Sequence, residues 1–249
     1  MSIDENKAKL EETSTEISGA GLSGSKLFLS LHYEQRREPL VARIAEWVAR
    51  GIIEGRIRPG QELSSVDLAG QFSTSRTPVR EALMLLEQEG LVEMRARRRP
   101  IVAAPTISEV RDVYQVRRQL LSLAARLVAE RIDDTGLGDI KRRVSLMRVS
   151  ANEGDVESYF WQHVDYQDSL LEIAGNSVMK QILDSLSLQT LVLRHRSIAQ
   201  PGRLVESITE QESMLRAYES RDPDLASLLM ANSTSNALRA IENSESSDG

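Results

Sequence analysis

The 249-residue sequence contains no cysteine. A disulfide frame, a thiolate zinc site and a cysteine nucleophile are therefore excluded. No apolar run is long enough to cross a bilayer. Residues 1–12 are mostly charged and polar, without the pattern of a signal peptide. Neither a Gly-rich phosphate loop, nor an HExxH pair, nor a GxSxG elbow occurs, so nothing supports catalysis. These absences point to a soluble cytoplasmic chain that is not an enzyme and has no membrane partner. What remains is length for two domains or one large one, and an apolar fraction of 41% that supports a real core.

A net charge of −6 stands against binding nucleic acid only until it is divided along the chain. Residues 38–105 hold ten Arg against nine Asp and Glu, a net of +1; the remainder holds 21 Lys and Arg against 28 Asp and Glu, a net of −7. The positive groups of the first part cluster at Arg76 and Arg80 and in the run Arg95, Arg97, Arg98, Arg99. A local basic surface governs phosphate binding more than the global sign does.

Residues 63–90, LSSVDLAGQFSTSRTPVREALMLLEQEG, read as two short helices joined by a polar turn. Ser64 or Ser65 caps the first, and Val66, Ala69 and Phe72 recur as a buried stripe. Pro78 falls in the first turn of the second helix, where its missing N–H is harmless. Val79, Leu83 and Leu86 form that helix's inward stripe, widened by Ala82 and Leu85. Arg76, Thr77 and Arg80 lie together on the other side. Two arginines and a hydroxyl at the exposed start of such a helix suit reading base edges in the major groove. A preceding helix over residues 39–54 offers Leu40, Ile44, Trp47 or Val48 and Ile52. After Gly90, LVEMRARRRPIVAAP predicts a hairpin with apolar arms at Leu91-Val92 and Ile101-Val102 and four arginines near its tip. Three helices and such a hairpin make a winged helix, whose wing can lie on the phosphate backbone or enter the minor groove.

SRTPVREAL at residues 75–83, followed by LEQEGLVEMRARR, resembles the N-terminal domain of GntR-type bacterial transcription regulators. The resemblance implies operator contacts from Arg76, Thr77 and Arg80, with the wing assisting. The expected DNA-facing set is Ser65, Ser75, Arg76, Thr77, Pro78 and Arg80, with Arg97, Arg98 and Arg99 of the wing. Two positions depart from the family pattern. Val66 stands where a fatty-acid-responsive member has a DNA-contacting arginine, and Arg99 stands in place of the usual wing glycine.

Thr106 and Glu109 form a capping box that opens the next helix after a very short linker. Helical segments follow around Ile140, Val144 and Met147, then over residues 156–174, 178–198, 203–220 and 224–241. The second domain is expected to be an antiparallel bundle of six or so helices, so the fold is mainly α with one small β-hairpin. The boundaries read as a flexible tail over 1–37 (with a helical stretch near 27–31), a winged helix over 38–104, a helical domain over 105–243 and a disordered tail over 244–249.

VYQVRRQLLSLAARLVAERI, YQDSLLEIAGN and EQESMLRAYESRDPDLASLLMAN resemble, in order, helices of the C-terminal domain of the FadR-like subgroup, called FCD. In most such proteins an aspartate and three histidines bind a metal that helps hold a small carboxylate effector. The matching positions are His163, Gln167, Gln211 and Ser233. Periodicity places them inside: Phe160, His163, Gln167, Leu170 and Ala174 share one face, and Leu204, Ile208, Gln211, Leu215 and Tyr218 another. Leu225, Leu229, Ser233 and Asn236 roughly continue the pattern in the last helix.

Two amides, a hydroxyl and one imidazole are poor ligands for zinc, iron or nickel, so neither a metal nor another cofactor is expected. These residues read either as a metal-free effector pocket or as core polar groups that satisfy one another. Arg117, near an interior face, would pair with an effector carboxylate or with a neighbouring Glu. His195 reads as a surface or interface residue, and His32 lies in the tail. The chain is expected to be a homodimeric regulator, a repressor by default, that binds double-stranded operator DNA and answers to a small-molecule effector. The rival reading is a helical scaffold or enzyme with a vestigial winged helix, which would not discriminate operator from random DNA by the roughly 10³ of a regulator.

Overall fold

The computed structural model describes residues 39–247, so the N-terminal tail, the stretch near 27–31 and His32 lie outside the described residues. Among the described residues the chain forms ten helices and one two-stranded antiparallel hairpin. The first unit comprises α1 (Pro39–Ile53), α2 (Ser65–Gln71), α3 (Arg76–Gln88), β1 (Val92–Glu93) and β2 (Ile101–Val102). In α1 the buried stripe runs Val41, Ile44, Val48 and Ile52, widened by Ala45 and Ala49. It is Val48, not Trp47, that faces the interior; Trp47 packs edge-on against Phe72 of the turn.

Ser64 caps α2, its hydroxyl accepting from the Asp67 N–H at 3.3 Å. The helix therefore begins at Ser65 and turns Leu68 and Ala69 inward, which leaves Val66 60% exposed. The expected buried stripe through Val66 is thus corrected. Helix α3 buries Val79, Ala82, Leu83, Leu85 and Leu86. At about 1.5–3 kcal/mol per fully buried aliphatic side chain, this face alone fixes the helix on its neighbours.

The hairpin pairs Val92 with Val102 and Glu93 with Ile101, and a bridge from Glu62 to Ile101 ties it to the segment before α2. At its tip the left-handed position is Arg97, with φ 59°, rather than Arg99. The wing's turn closes there without glycine, with the Arg98 N–H donating to the Arg95 carbonyl at 3.3 Å.

The second unit comprises α4 (Ile107–Arg131), α5 (Asp134–Glu153), α6 (Val156–Ala174), α7 (Ser177–Ser185), α8 (Ser187–Ile198), α9 (Arg203–Glu219) and α10 (Pro223–Ser247). The Thr106–Glu109 capping box is formed, with the Thr106 N–H donating to the Glu109 carboxylate at 2.7 Å. Asp133, Asp155 and Asn176 cap α5, α6 and α7 with side-chain oxygens. Helices α4 and α10 lie antiparallel along their length, linked by Arg111–Glu242 at 2.6 Å near one end and by Arg126–Asp224 near the other.

Two expectations change here. The single helix over 178–198 is broken at Leu186, which ends α7 by donating its N–H to Leu183 and begins α8. The bundle therefore has seven helices. Helix α10 also continues through residue 247, so residues 244–247 are helical rather than part of a tail.

The two units share one apolar core, from Ile44 and Leu83 through to Tyr159 and Met214. Contacts between them are specific. The Trp161 indole of α6 donates to Glu54 at 3.1 Å, just past α1, and the Arg50 guanidinium lies 4.9 Å over the Trp161 ring. Gly90, just past α3, has φ +71°, and a Cβ there would sit 1.8 Å from the Gln189 side chain of α8. The left-handed backbone favours glycine at this point, whereas the exposed Gln189 side chain can swing aside.

Candidate functional site

Two places carry functional groups, one in each unit. In the first, Ser75 has the extended conformation of a cap, φ −79° and ψ 170°, but makes no side-chain cap bond. The first-turn N–H groups of α3 are thus left to an acceptor from outside, at the positive end of the helix dipole. Arg76, Thr77 and Arg80 are exposed around that end, Ser75 is exposed beside them, and Pro78 and Ser65 are half-buried. On the wing Arg95, Arg97, Arg98 and Arg99 are all exposed. Arg99 lies 3.7 Å from Glu62, a pair too open to water to restrain it much.

In the second unit, α4, α6, α8, α9 and α10 enclose a cavity of about 60 Å³. Its walls bring together all five residues singled out from the sequence: Arg117, His163, Gln167, Gln211 and Ser233. Arg117 and Gln211 are buried, at 5% and 3% exposure, whereas His163 and Gln167 are half-buried. Arg117 donates to the Thr190 hydroxyl at 3.1 Å, and among the described residues no Glu pairs with it.

The structure adds residues to this wall. Arg194 of α8 reaches His163 Nδ1 at 3.1 Å, which makes that nitrogen the acceptor and places the imidazole proton on Nε2. Arg203 of α9 meets Glu210 at 3.0 Å. Glu210 also accepts from the Ser233 hydroxyl at 2.6 Å and from the Asn236 amide at 2.7 Å. Arg203 also lines a wider groove of about 780 Å³ outside the cavity, between the end of α8, α9 and α10.

Electrostatics follow from this crowding of positive charge. Burial, reinforced by the guanidiniums of Arg194, Arg203 and Arg117, holds the His163 imidazole well below its usual pKa, so it is neutral at pH 7. Burial lowers Arg117, and burial together with the charge of Arg117 brings Arg194 down to about 9. Arg194 keeps some surface on the cavity, so it is withdrawn from bulk water without being covered. The Asp168 carboxyl, one turn from Val164, is pushed up to about 6 by burial despite the pull of Arg194.

Six buried polar atoms on these walls have no hydrogen-bond partner among the described residues. They are the hydroxyls of Tyr114, Tyr166 and Ser197, Nε of Arg117, and Nε and one terminal nitrogen of Arg203. A core network that satisfied itself would leave few such atoms, because each costs about 1–3 kcal/mol.

Among the described residues no three His, Cys, Asp or Glu side chains are placed to hold a metal. The donors present do not fit one either. The sole imidazole has its Nδ1 engaged by Arg194, and three guanidiniums surround it.

Residues 40–102 match the gntR family of bacterial regulatory proteins, and residues 112–235 match the FCD domain. The chain belongs to the GntR family of bacterial regulators. It is a DNA-binding transcription regulator with a helical FCD domain behind its reader. Among similar proteins is the gluconate operon transcriptional repressor of Bacillus licheniformis, 26% identical over 192 residues, covering 74% of this chain and 77% of that one. Another is the galactonate operon transcriptional repressor of Escherichia coli (strain K12), 25% identical over 223 residues, covering 80% and 96%. E. coli McbR/YncC shares the fold with a TM-score of 0.70 at 18% identity, covering 84% of this chain and all of that one.

In this GntR-family chain, sequence reasoning missed Arg194, Arg203 and Glu210. A signal existed for the first: Thr190, Arg194 and Ser197 recur at helical spacing on α8 and all face the interior. His195 is neither a surface nor an interface residue; it is 7% exposed, bonded to Glu157 at 2.8 Å and set edge-on to Phe160. Its role is to join α8 to α6.

Proposed function

We propose that this regulator is a non-catalytic, cytoplasmic homodimer that represses its target operon and is released by a small molecule bound in the helical cavity. In this reading Arg76, Thr77 and Arg80 read base edges. Ser65, Ser75 and Pro78 sit against the phosphate backbone, and Arg97, Arg98 and Arg99 brace the wing on the backbone or minor groove. Arg117, His163, Gln167, Gln211 and Ser233 line the effector site. The observation that carries the DNA half is the uncapped, arginine-flanked start of α3. The effector half is carried by the six polar atoms around one cavity that lack a hydrogen-bond partner among the described residues.

A dimer matches the twofold symmetry of paired half-sites. Its face is best sought where Val116 and Leu123 of α4 and Leu225 and Leu228 of α10 stand exposed. Helix α8 is the natural link between the two halves. Its Thr190 and Arg194 face the interior of the helical unit, while Gln189 meets Gly90 at the end of the reading helix. An effector that shifts α8 can act through that meeting point to favour one placement of the readers over another.

The test is footprinting of genomic fragments by the purified protein, followed by a screen for compounds that release it from the site found. Gln167→Ala and Gln211→Ala should weaken the response to such a compound while leaving operator binding without it unchanged. An unchanged response in both variants would remove the cavity from the mechanism.

A further inference from the structure

The polar atoms left without partners in the cavity have a common chemistry. Nε of Arg117 and two nitrogens of Arg203 supply N–H groups, and the hydroxyls of Tyr114, Tyr166 and Ser197 are free to donate as well. No carboxylate among the described residues pairs with Arg117 or Arg194: the former meets only a hydroxyl, the latter an imidazole nitrogen and a carbonyl. Arg203 differs, being neutralised by Glu210. The remaining acid near the pair, Asp168, lines a smaller lobe of about 30 Å³ shared with both arginines; burial raises it to about 6, so at pH 7 it is largely ionised and offsets one of their two positive charges. The cavity thus has an excess of positive charge and of donors in a space that water screens poorly. A guanidinium in such a place is costly unless an anion meets it.

We propose that Arg117 and Arg194 form a metal-free receptor for one oxyanion group of the effector, supplying the positive charge that a metal would otherwise supply there. This rests on the reading of the cavity as the effector site. The fixed donors of a guanidinium suit the two oxygens of a carboxylate. His163 serves as a positioning residue, since its Nδ1 holds Arg194 in place. A volume of about 60 Å³ has room for roughly four to six water-sized groups. A carboxylate on a short stem fits; a sugar phosphate would have to reach through the Arg203 side into the outer groove.

The experiment measures the unfolding midpoint of the full-length protein with a chelator present and chloride matched throughout. The probes are acetate, inorganic phosphate and the neutral acetamide. Acetate should raise the midpoint by about 3–6 °C at roughly tenfold excess over its Kd. A rise with phosphate as well supports the same receptor and widens the oxyanions it takes. Acetamide should do nothing. Arg117→Met and Arg194→Gln should each abolish the acetate effect, whereas Arg117→Lys, which keeps the charge, should retain part of it.

No rise with either anion, an equal rise with acetamide, or an acetate effect that survives in both arginine variants overturns the proposal. So does an acetate effect that appears only when the chelator is replaced by zinc or nickel. Operator binding separates this from the broader reading. An acetate effect of the expected kind without any compound that alters operator affinity leaves the receptor and sinks the effector role. A neutral compound that releases the operator through Gln167 and Gln211 does the reverse.

Discussion

Glu210 offers a perturbation whose size follows from the structure. Its carboxylate accepts from Arg203 at 3.0 Å, Ser233 at 2.6 Å and Asn236 at 2.7 Å. The Arg203 and Glu210 side chains are only 6% and 17% exposed, so water cannot take over these bonds. Glu210→Gln keeps the shape but removes the charge. The amide keeps one acceptor oxygen and presents an NH2 at the other position, so at least one bond is lost outright at about 1–3 kcal/mol, and those that remain lose their anionic acceptor at about 1 kcal/mol each. Independently, leaving one member of a buried pair unmatched costs about 3–5 kcal/mol. The two routes agree on about 3–5 kcal/mol. Glu206, 3.8 Å from Arg203 and 69% exposed, is too screened to compensate.

For a chain of this size the destabilisation corresponds to a fall in the unfolding midpoint of about 6–20 °C, read by circular dichroism or calorimetry. Replacing both partners, Arg203→Met with Glu210→Leu, should recover most of it, because an apolar pair carries no unmatched charge. A fall of less than about 2 °C for Glu210→Gln, or a double variant less stable than the single one, would refute this reasoning.

Other outcomes follow from the same geometry. Arg97→Ala and Arg98→Ala should weaken operator and random DNA alike and reduce the slope of log K against log salt by about 0.9 for each phosphate no longer neutralised; a selective weakening at the operator would make the wing a base reader. Asp168, pushed up to about 6 from 3.8, binds more protons folded than unfolded, so its contribution to stability falls as pH rises from about 4 to about 6 and then levels. The midpoint of Asp168→Asn relative to the unaltered protein should therefore climb over that window and stay flat above it; a flat difference throughout contradicts the assignment. Leu123→Glu with Leu228→Glu should convert the protein to monomers in light scattering without change in helix content, and an intact dimer would move the interface elsewhere.

Caps and stripes carried most of the fold in plain view. Thr106 and Glu109, Gly175 and Asn176, and the inward face of α3 are local signals whose chemistry does not depend on distant partners. The stripe through His163 and Gln167 and the one through Gln211 likewise led to the cavity, since helical spacing fixes which side chains share a face. What escaped depended on tertiary context. Val66 turned outward because Ser64, rather than Ser65, caps α2. The break at Leu186 has no proline or glycine to announce it. Arg194 recurs with Thr190 and Ser197 at helical spacing, yet only the packing of α8 against α6 shows that it meets His163. Glu210 sits beside Gln211 in sequence, yet it alone gathers groups from α9 and α10.

The most direct measurement is the affinity of the unaltered protein and of Arg80→Ala for the footprinted operator and for random DNA, at one fixed ionic strength. The unaltered protein should prefer the operator by about 10³ or more. Arg80→Ala should give up roughly 1–3 kcal/mol of that preference at each half-site, with its dimer and midpoint intact. A preference that survives the substitution unchanged, or one below about tenfold from the start, would contradict α3 as the reader of sequence.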